Sequence, residues 1–202
     1  KGVEINKTDR NGKNALHLLC KNYNGQDLLR IIQMFVEKGV EMDKTDKYDN
    51  NALQGLCANY NGPDLLKIIQ MFVEKGIEMD KTDVHGRNAL HFLCGNYNGP
   101  DLLEIIQLPD EKGVEIKKTD KIGRNALHLL CEKYNGPYLL EIIELLVDKG
   151  VEINKTDKIG RNALHYLCGK YNGPDLLRII QMFVDKGVEI NKTDGNGRNA
   201  LH

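Results

Sequence analysis

Gly160-Arg-Asn-Ala-Leu-His-Tyr-Leu-Cys168 recurs along the whole chain with only local edits. It reads Gly-Lys-Asn-Ala-Leu-His-Leu-Leu-Cys up to Cys20 and Asp-Asn-Asn-Ala-Leu-Gln-Gly-Leu-Cys up to Cys57, and near-copies end at Cys94 and Cys131. The copies are 37 residues apart, and a last one begins at Gly197. A fixed period of this length marks a solenoid, in which each unit buries its apolar face against its neighbours. The units run over 1–37, 38–74, 75–111, 112–148 and 149–185, with a partial unit over 186–202.

Composition narrows the function classes. Lys plus Arg total 28 and Asp plus Glu 29, a net charge of -1, so no bulk field exists to hold nucleic acid or an acidic membrane. No apolar run approaches the ~18 residues of a spanning helix and no charged-then-apolar leader opens the chain, so no membrane insertion is expected. The five cysteines fall one per unit, at Cys20, Cys57, Cys94, Cys131 and Cys168. Packed helices in successive units lie about 8 to 10 Å apart, beyond the roughly 7 Å Cα limit of a disulfide. Free thiols in a reducing, intracellular and cytoplasmic setting are therefore expected. Asn6-Lys-Thr, Asn154-Lys-Thr and Asn191-Lys-Thr have the form of glycosylation sequons but read as turn chemistry.

The unit from Lys149 to Asp185 shows the local design. Val151-Glu-Ile153 alternates apolar and polar, and Asn154 to Gly160 supplies turn residues, which predicts a short extended arm and a tight turn. Asn162 is a good N-cap for a helix whose Leu164, Leu167, Cys168 and Tyr171 share one face. Asn172-Gly173 is expected to end that helix as a left-handed cap, with Pro174 at the first position of the next. Leu176, Leu177, Ile179, Ile180, Phe183 and Val184 then form a wide apolar stripe, and Gly187 closes the second helix. Such a module cannot bury its faces alone.

Asp-x-x-Gly-x-Asn-Ala-Leu-His-x-Leu-Cys, then Leu-Leu-x-Ile-Ile, then Lys-Gly-Val-Glu-Ile-Asn, closely resembles the ankyrin repeat, with Asn-Ala-Leu-His where that family usually has Thr-Pro-Leu-His. The resemblance spans the chain and implies an all-α repeat solenoid of antiparallel helix pairs with short hairpin arms. Four residues beyond the usual unit length fit between the helices, around Lys170-Tyr-Asn-Gly-Pro174. It further implies that His17, His91, His128 and His165 are structural, hydrogen-bonding the backbone of the hairpin and turn, and that the cysteines replace a small packing residue.

Each of those histidines stands three residues before a Cys, so a zinc site is the chemical alternative. Zinc needs four ligands at about 2.0 to 2.3 Å, and each unit offers two at most. Gln54 breaks the series. Gly195-Asn-Gly197-Arg-Asn-Ala200 has a dinucleotide fingerprint only on paper, since no strand leads into it. No catalytic residue, metal or cofactor is expected.

Variation among the units is concentrated. The two residues after the turn Asp change from unit to unit: Arg10-Asn11, Lys47-Tyr48, Val84-His85, Lys121-Ile122, Lys158-Ile159 and Gly195-Asn196. So does the residue after the His position: Leu18, Gly55, Phe92, Leu129 and Tyr166. By resemblance these hairpin tips and inner-helix positions line a concave recognition surface. Arg10, Asn11, Lys47, Tyr48, Val84, His85, Lys121, Ile122, Lys158, Ile159, Phe92, Leu129 and Tyr166 are thus candidate contacts for a protein partner. Apolar tips suit that role, although drift at unconstrained sites is the plain alternative. Arg87, Arg124 and Arg161 are further candidate contacts: with Lys13 and Arg198 they form a basic ladder that could meet an acidic partner, the plain alternative being a balanced solvated face, since Glu4, Glu41, Glu78, Glu115, Glu152 and Glu189 form a parallel acidic ladder.

The expected function is a scaffold or adaptor that binds another protein. A spacer or elastic array without a specific partner, and the targeting arm of an enzyme whose catalytic domain lies elsewhere, are the competing readings. Both ends of the chain fall inside a unit, so the open stacking faces are expected either to meet another molecule end to end or to fray. One irregularity stands out in the third unit. Pro109-Asp110 replaces the Phe-Val of Phe72-Val73 and Phe183-Val184, which predicts that the second helix there ends or kinks near Gln107 and turns Asp110 toward water, leaving a soft joint before the fourth unit.

Overall fold

A computed structural model describes residues 4–108 and 115–201. It contains ten helices in five pairs: α1 (Ala15–Asn22) with α2 (Leu28–Glu37), α3 (Ala52–Asn59) with α4 (Leu65–Glu74), α5 (Ala89–Asn96) with α6 (Leu102–Ile106), α7 (Ala126–Lys133) with α8 (Leu139–Asp148), and α9 (Ala163–Lys170) with α10 (Leu176–Asp185). The first helices stack in one row, α1 on α3 on α5 on α7 on α9. The second helices form a parallel row behind them. The chain is an all-α solenoid, with no strand among the described residues.

The short first helices start where the sequence places an Asn. Asn14, Asn51, Asn88, Asn125 and Asn162 are extended, and each side chain accepts the backbone N–H three residues on. All five are buried, so their amide N–H groups also need partners. Three find them in the following unit: Asn14, Asn88 and Asn125 donate Nδ2 to the carbonyls of Glu41 (2.9 Å), Glu115 (3.3 Å) and Glu152 (3.2 Å). One residue type thus caps a helix and ties two units together.

The exit from these helices differs from the left-handed cap expected at Asn-Gly. Each helix ends instead on an extended tyrosine, Tyr23, Tyr60, Tyr97, Tyr134 or Tyr171, and the glycine two residues later keeps negative φ. The ring decides the glycine: a Cβ on Gly62 or Gly99 would collide with the ring and hydroxyl of Tyr60 or Tyr97. Tyr60, Tyr97 and Tyr134 are buried, so the longer inter-helix segment brings its own core residue. Pro174 lies in the turn before α10 and not at its first position, and Asp175 is the N-cap without a side-chain bond.

The second helices bury the predicted stripe, with Leu65, Ile68, Ile69 and Phe72 inaccessible in α4. They close as the sequence predicts. Gly187 takes φ +80°, its N–H reaches Val184, and the N–H of Val188 reaches Phe183 at 2.9 Å, the paired bonds of a Schellman cap. Gly39, Gly76 and Gly150 repeat this at the ends of α2, α4 and α8.

In the third unit the second helix, α6, has five residues where its counterparts have ten, and Gln107 is its C-cap. It ends where the proline predicts, because Pro109 has no N–H for the Ile105 carbonyl, and the N–H of Leu108 takes that carbonyl at 3.3 Å. The expectations for Asp110 and for a soft joint lie outside the described residues.

Candidate protein-binding surface

Each hairpin tip is held by one carboxylate. The Oδ1 of Asp46 accepts the N–H groups of Tyr48 (2.9 Å) and Asn50 (3.1 Å), and Asp83, Asp120 and Asp157 treat the second and fourth residues after them alike. At Asp194 the backbone N–H of Arg198 contributes most to holding the carboxyl down at about 2. The tips are also sewn to one another. The N–H of Lys47 donates to Asn11 (2.8 Å), Val84 to Tyr48 (3.1 Å), Lys121 to His85 (2.8 Å), Lys158 to Ile122 (2.9 Å) and Gly195 to Ile159 (2.7 Å).

From the second unit onward this arrangement leaves the second residue of each tip exposed. Tyr48, His85, Ile122 and Ile159 are exposed, as are Arg10, Lys47, Lys121 and Lys158. Asn11 and Val84 are half-buried, so the valine is not the open tip residue the sequence implied. Ile122 and Ile159 retain 48% and 53% of their surface on adjacent units, which forms a short apolar strip flanked by Lys121 and Lys158.

The inner-helix candidates behave differently. Phe92 and Leu129 are buried, and this corrects the expectation that they face a partner directly. Arg87 lies 4.6 Å over the Phe92 ring while its guanidinium grips Asp83 Oδ2 through Nε (2.9 Å) and Nη2 (2.7 Å). Tyr166 is half-buried, donates its hydroxyl to Asp157 (2.6 Å) and meets the His128 ring edge-on, and burial followed by the Asp157 bond pushes its pKa up to about 12. Leu18 is the member of this row that stands 43% exposed.

The charged ladders do not pair with each other. Arg87 and Arg124 bond the turn aspartates of their own units, and Arg161 reaches Asp194 of the next at 3.4 Å. Glu4, Glu41, Glu115 and Glu189 pair with the lysine three residues on. Such pairs contribute little singly; among the tip lysines, Lys47 stands 4.9 Å over the Tyr48 ring.

The histidines join units. His17 Nε2 lies 3.2 Å from the Asn50 carbonyl, and His91, His128 and His165 stand likewise to Arg124, Arg161 and Arg198. Each Nδ1 faces the N-cap asparagine of its own helix. No group of three or more His, Cys, Asp and Glu able to hold a metal occurs among the described residues. The cysteines are free; Cys20, Cys57, Cys94 and Cys131 are fully buried, and desolvation pushes their thiols well above the usual range.

A family model of ankyrin repeats, in three copies, matches residues 90–194, more than half of the chain. The chain belongs to the ankyrin-repeat family. No curated protein matches it. Ankyrin repeats are in general protein–protein interaction modules and typically non-catalytic. No described helix of this ankyrin array is long and apolar enough to cross a membrane.

One feature of the surface escaped the sequence reading. The second unit departs from the repeat at Asp49, Asn50, Gln54 and Gly55, and the last three of these line a single notch of about 200 Å³ between units. The signal was present as four substitutions in seven residues, but their convergence in space was not.

Proposed function

We propose that this array is a protein-binding adaptor whose contact surface is the row of hairpin tips together with the adjoining face of the first-helix row. The observation that carries this reading is exposed apolar side chains on a fixed backbone. Tyr48, Ile122 and Ile159 each keep about half of their surface open, while the tips beneath them are bonded from both sides. A tip backbone already ordered in the free array loses little further entropy when a partner covers the side chains it displays. A spacer needs no such display.

Lys47, Lys121 and Lys158 stand beside the apolar tips, so the partner surface that fits combines apolar residues with an acidic rim. The test is affinity capture with quantitative mass spectrometry, comparing the array with its Tyr48→Ser, Ile122→Ser, Ile159→Ser variant. Circular dichroism should be unchanged and the specifically captured proteins should be depleted. An identical captured set would overturn the adaptor reading and favour a spacer.

A further inference from the structure

The notch in the second unit is the place where this surface is incomplete. In the third and fifth units an arginine covers the aromatic ring of its own first helix: Arg87 over Phe92 at 4.6 Å and Arg161 over Tyr166 at 5.9 Å. The second unit has neither partner, because Asn50 stands at the arginine position and Gly55 at the aromatic position. The space they would fill is the notch, bounded by Tyr48 and Ala58 and flanked by Phe92.

Glycine is not required at this point by the backbone. Gly55 lies inside α3 with φ outside the left-handed region, and a Cβ there would meet only Lys21 backbone and side-chain atoms at 3.8 to 3.9 Å, ordinary contact. A glycine within a helix costs about 1 kcal/mol relative to alanine, so packing alone would favour almost any other residue. The turn shows a similar compromise: Asp49 takes φ +60° where the other units have glycine.

The notch also has a sign. Lys13, Lys21 and Arg87 line it; Asp46 faces Lys13 at 3.8 Å and Asp83 holds the Arg87 guanidinium at 2.7 Å, so Lys21 is the cation that gives the notch its positive balance. Lys21 is exposed. At the position of Lys21 the fourth unit has Glu132, so this positive charge belongs to this end of the array. Its volume of about 200 Å³ is below the roughly 300 to 1,000 Å³ of small-ligand pockets and suits a single large side chain.

We propose that the notch at Gly55 is a socket for one leucine or aromatic side chain from an acidic segment of a partner protein. The side chain takes the place left by the missing Arg–aromatic pair, and a neighbouring carboxylate of the segment meets the exposed Lys21. The inference rests on the reading of this face as a binding surface and names its anchor and charge preference.

The test uses the whole array, isotopically labelled, titrated with Asp-Glu-Trp-Glu-Asp, with the same peptide carrying Gly for Trp, and with Lys-Lys-Trp-Lys-Lys. The acidic Trp peptide should shift the amides of Gly55, Ala58 and Asn59 and weaken as salt rises; the other two should bind at least about tenfold more weakly. Gly55→Leu fills the socket with the residue present at Leu18 and Leu129, and should raise the melting temperature while abolishing binding. Gly55→Ala should raise the melting temperature and retain it. Equal binding by Gly55→Leu, or by the glycine peptide, overturns the socket, as does absence of binding by the acidic Trp peptide. Retained peptide binding in Gly55→Leu that is lost in the tip variant would overturn the socket while leaving the adaptor reading in place.

Discussion

Gln54 donates its Nε2 to the Arg87 carbonyl at 3.2 Å, the bond that the histidines of the other units make with ring Nε2. Its Oε1 accepts the N–H of Asn51 at 2.7 Å, as the histidine Nδ1 faces the N–H of its own asparagine. An amide has fixed donor and acceptor ends, so Gln54 identifies the roles in its neighbours: Nδ1 accepts and Nε2–H donates, the neutral imidazole.

That assignment sets a pH dependence. Protonation of His17 would gain a bond to Asn14 Oδ1, 2.7 Å away, but would lose the Nδ1 acceptor and bury a charge. Burial is the largest influence on His17, His91 and His128 and lowers all three below the usual 6.5. The folded array then binds fewer protons than the unfolded chain, so stability is complete above about pH 6.5 and declines as pH falls below it. Urea unfolding at pH 7.5 and pH 5 should show the decline. A variant carrying His17→Gln, His91→Gln and His128→Gln should remain folded and lose most of this slope; an unchanged slope would contradict the neutral assignment.

The truncated α6 makes a second prediction. Proline inside a helix costs about 3 kcal/mol or more, and loss of a buried phenylalanine about 3 to 5 kcal/mol. Pro109→Phe with Asp110→Val restores the residues of α4, and should lengthen α6 beyond Ile106 and stabilise the array by at least about 3 kcal/mol. Circular dichroism should show the added helix and denaturant unfolding the added stability. Unchanged helix content would mean that packing around the fourth unit, and not the proline, ends α6.

A third prediction concerns Tyr60 and Gly62. A methyl on Gly62 would strike the Tyr60 ring and hydroxyl, so Gly62→Ala should cost about 1 to 3 kcal/mol, the usual range for overpacking. The Tyr60 hydroxyl is buried, and desolvation is the largest influence on it, raising its pKa above the usual 10. Tyr60→Phe should therefore be neutral or stabilising, since it removes a polar group that burial penalises. Thermal unfolding of the two variants checks both signs.

The sequence by itself determined the repeat, the helix pair within each unit, where the first helices start and where the second helices stop. These are local matters: Asn162 caps through its own side chain, Gly187 adopts positive φ because it lacks a Cβ, and Pro109 withholds an N–H. The wide stripe of the second helices was equally legible, because helical periodicity places it. The tertiary structure decided what the stacking of units creates. That Tyr60 rather than a left-handed glycine ends α3 depends on where its ring finds a core, and that Phe92 is covered depends on Arg87 reaching back over it. The repeat shows that Asn50, Gln54 and Gly55 are exceptional, but only the packing of α3 against α1 and α5 turns those exceptions into one notch. Bonds within a turn are written in neighbouring residues; bonds and voids between units join residues about one repeat apart, and their geometry exists only once the units are stacked.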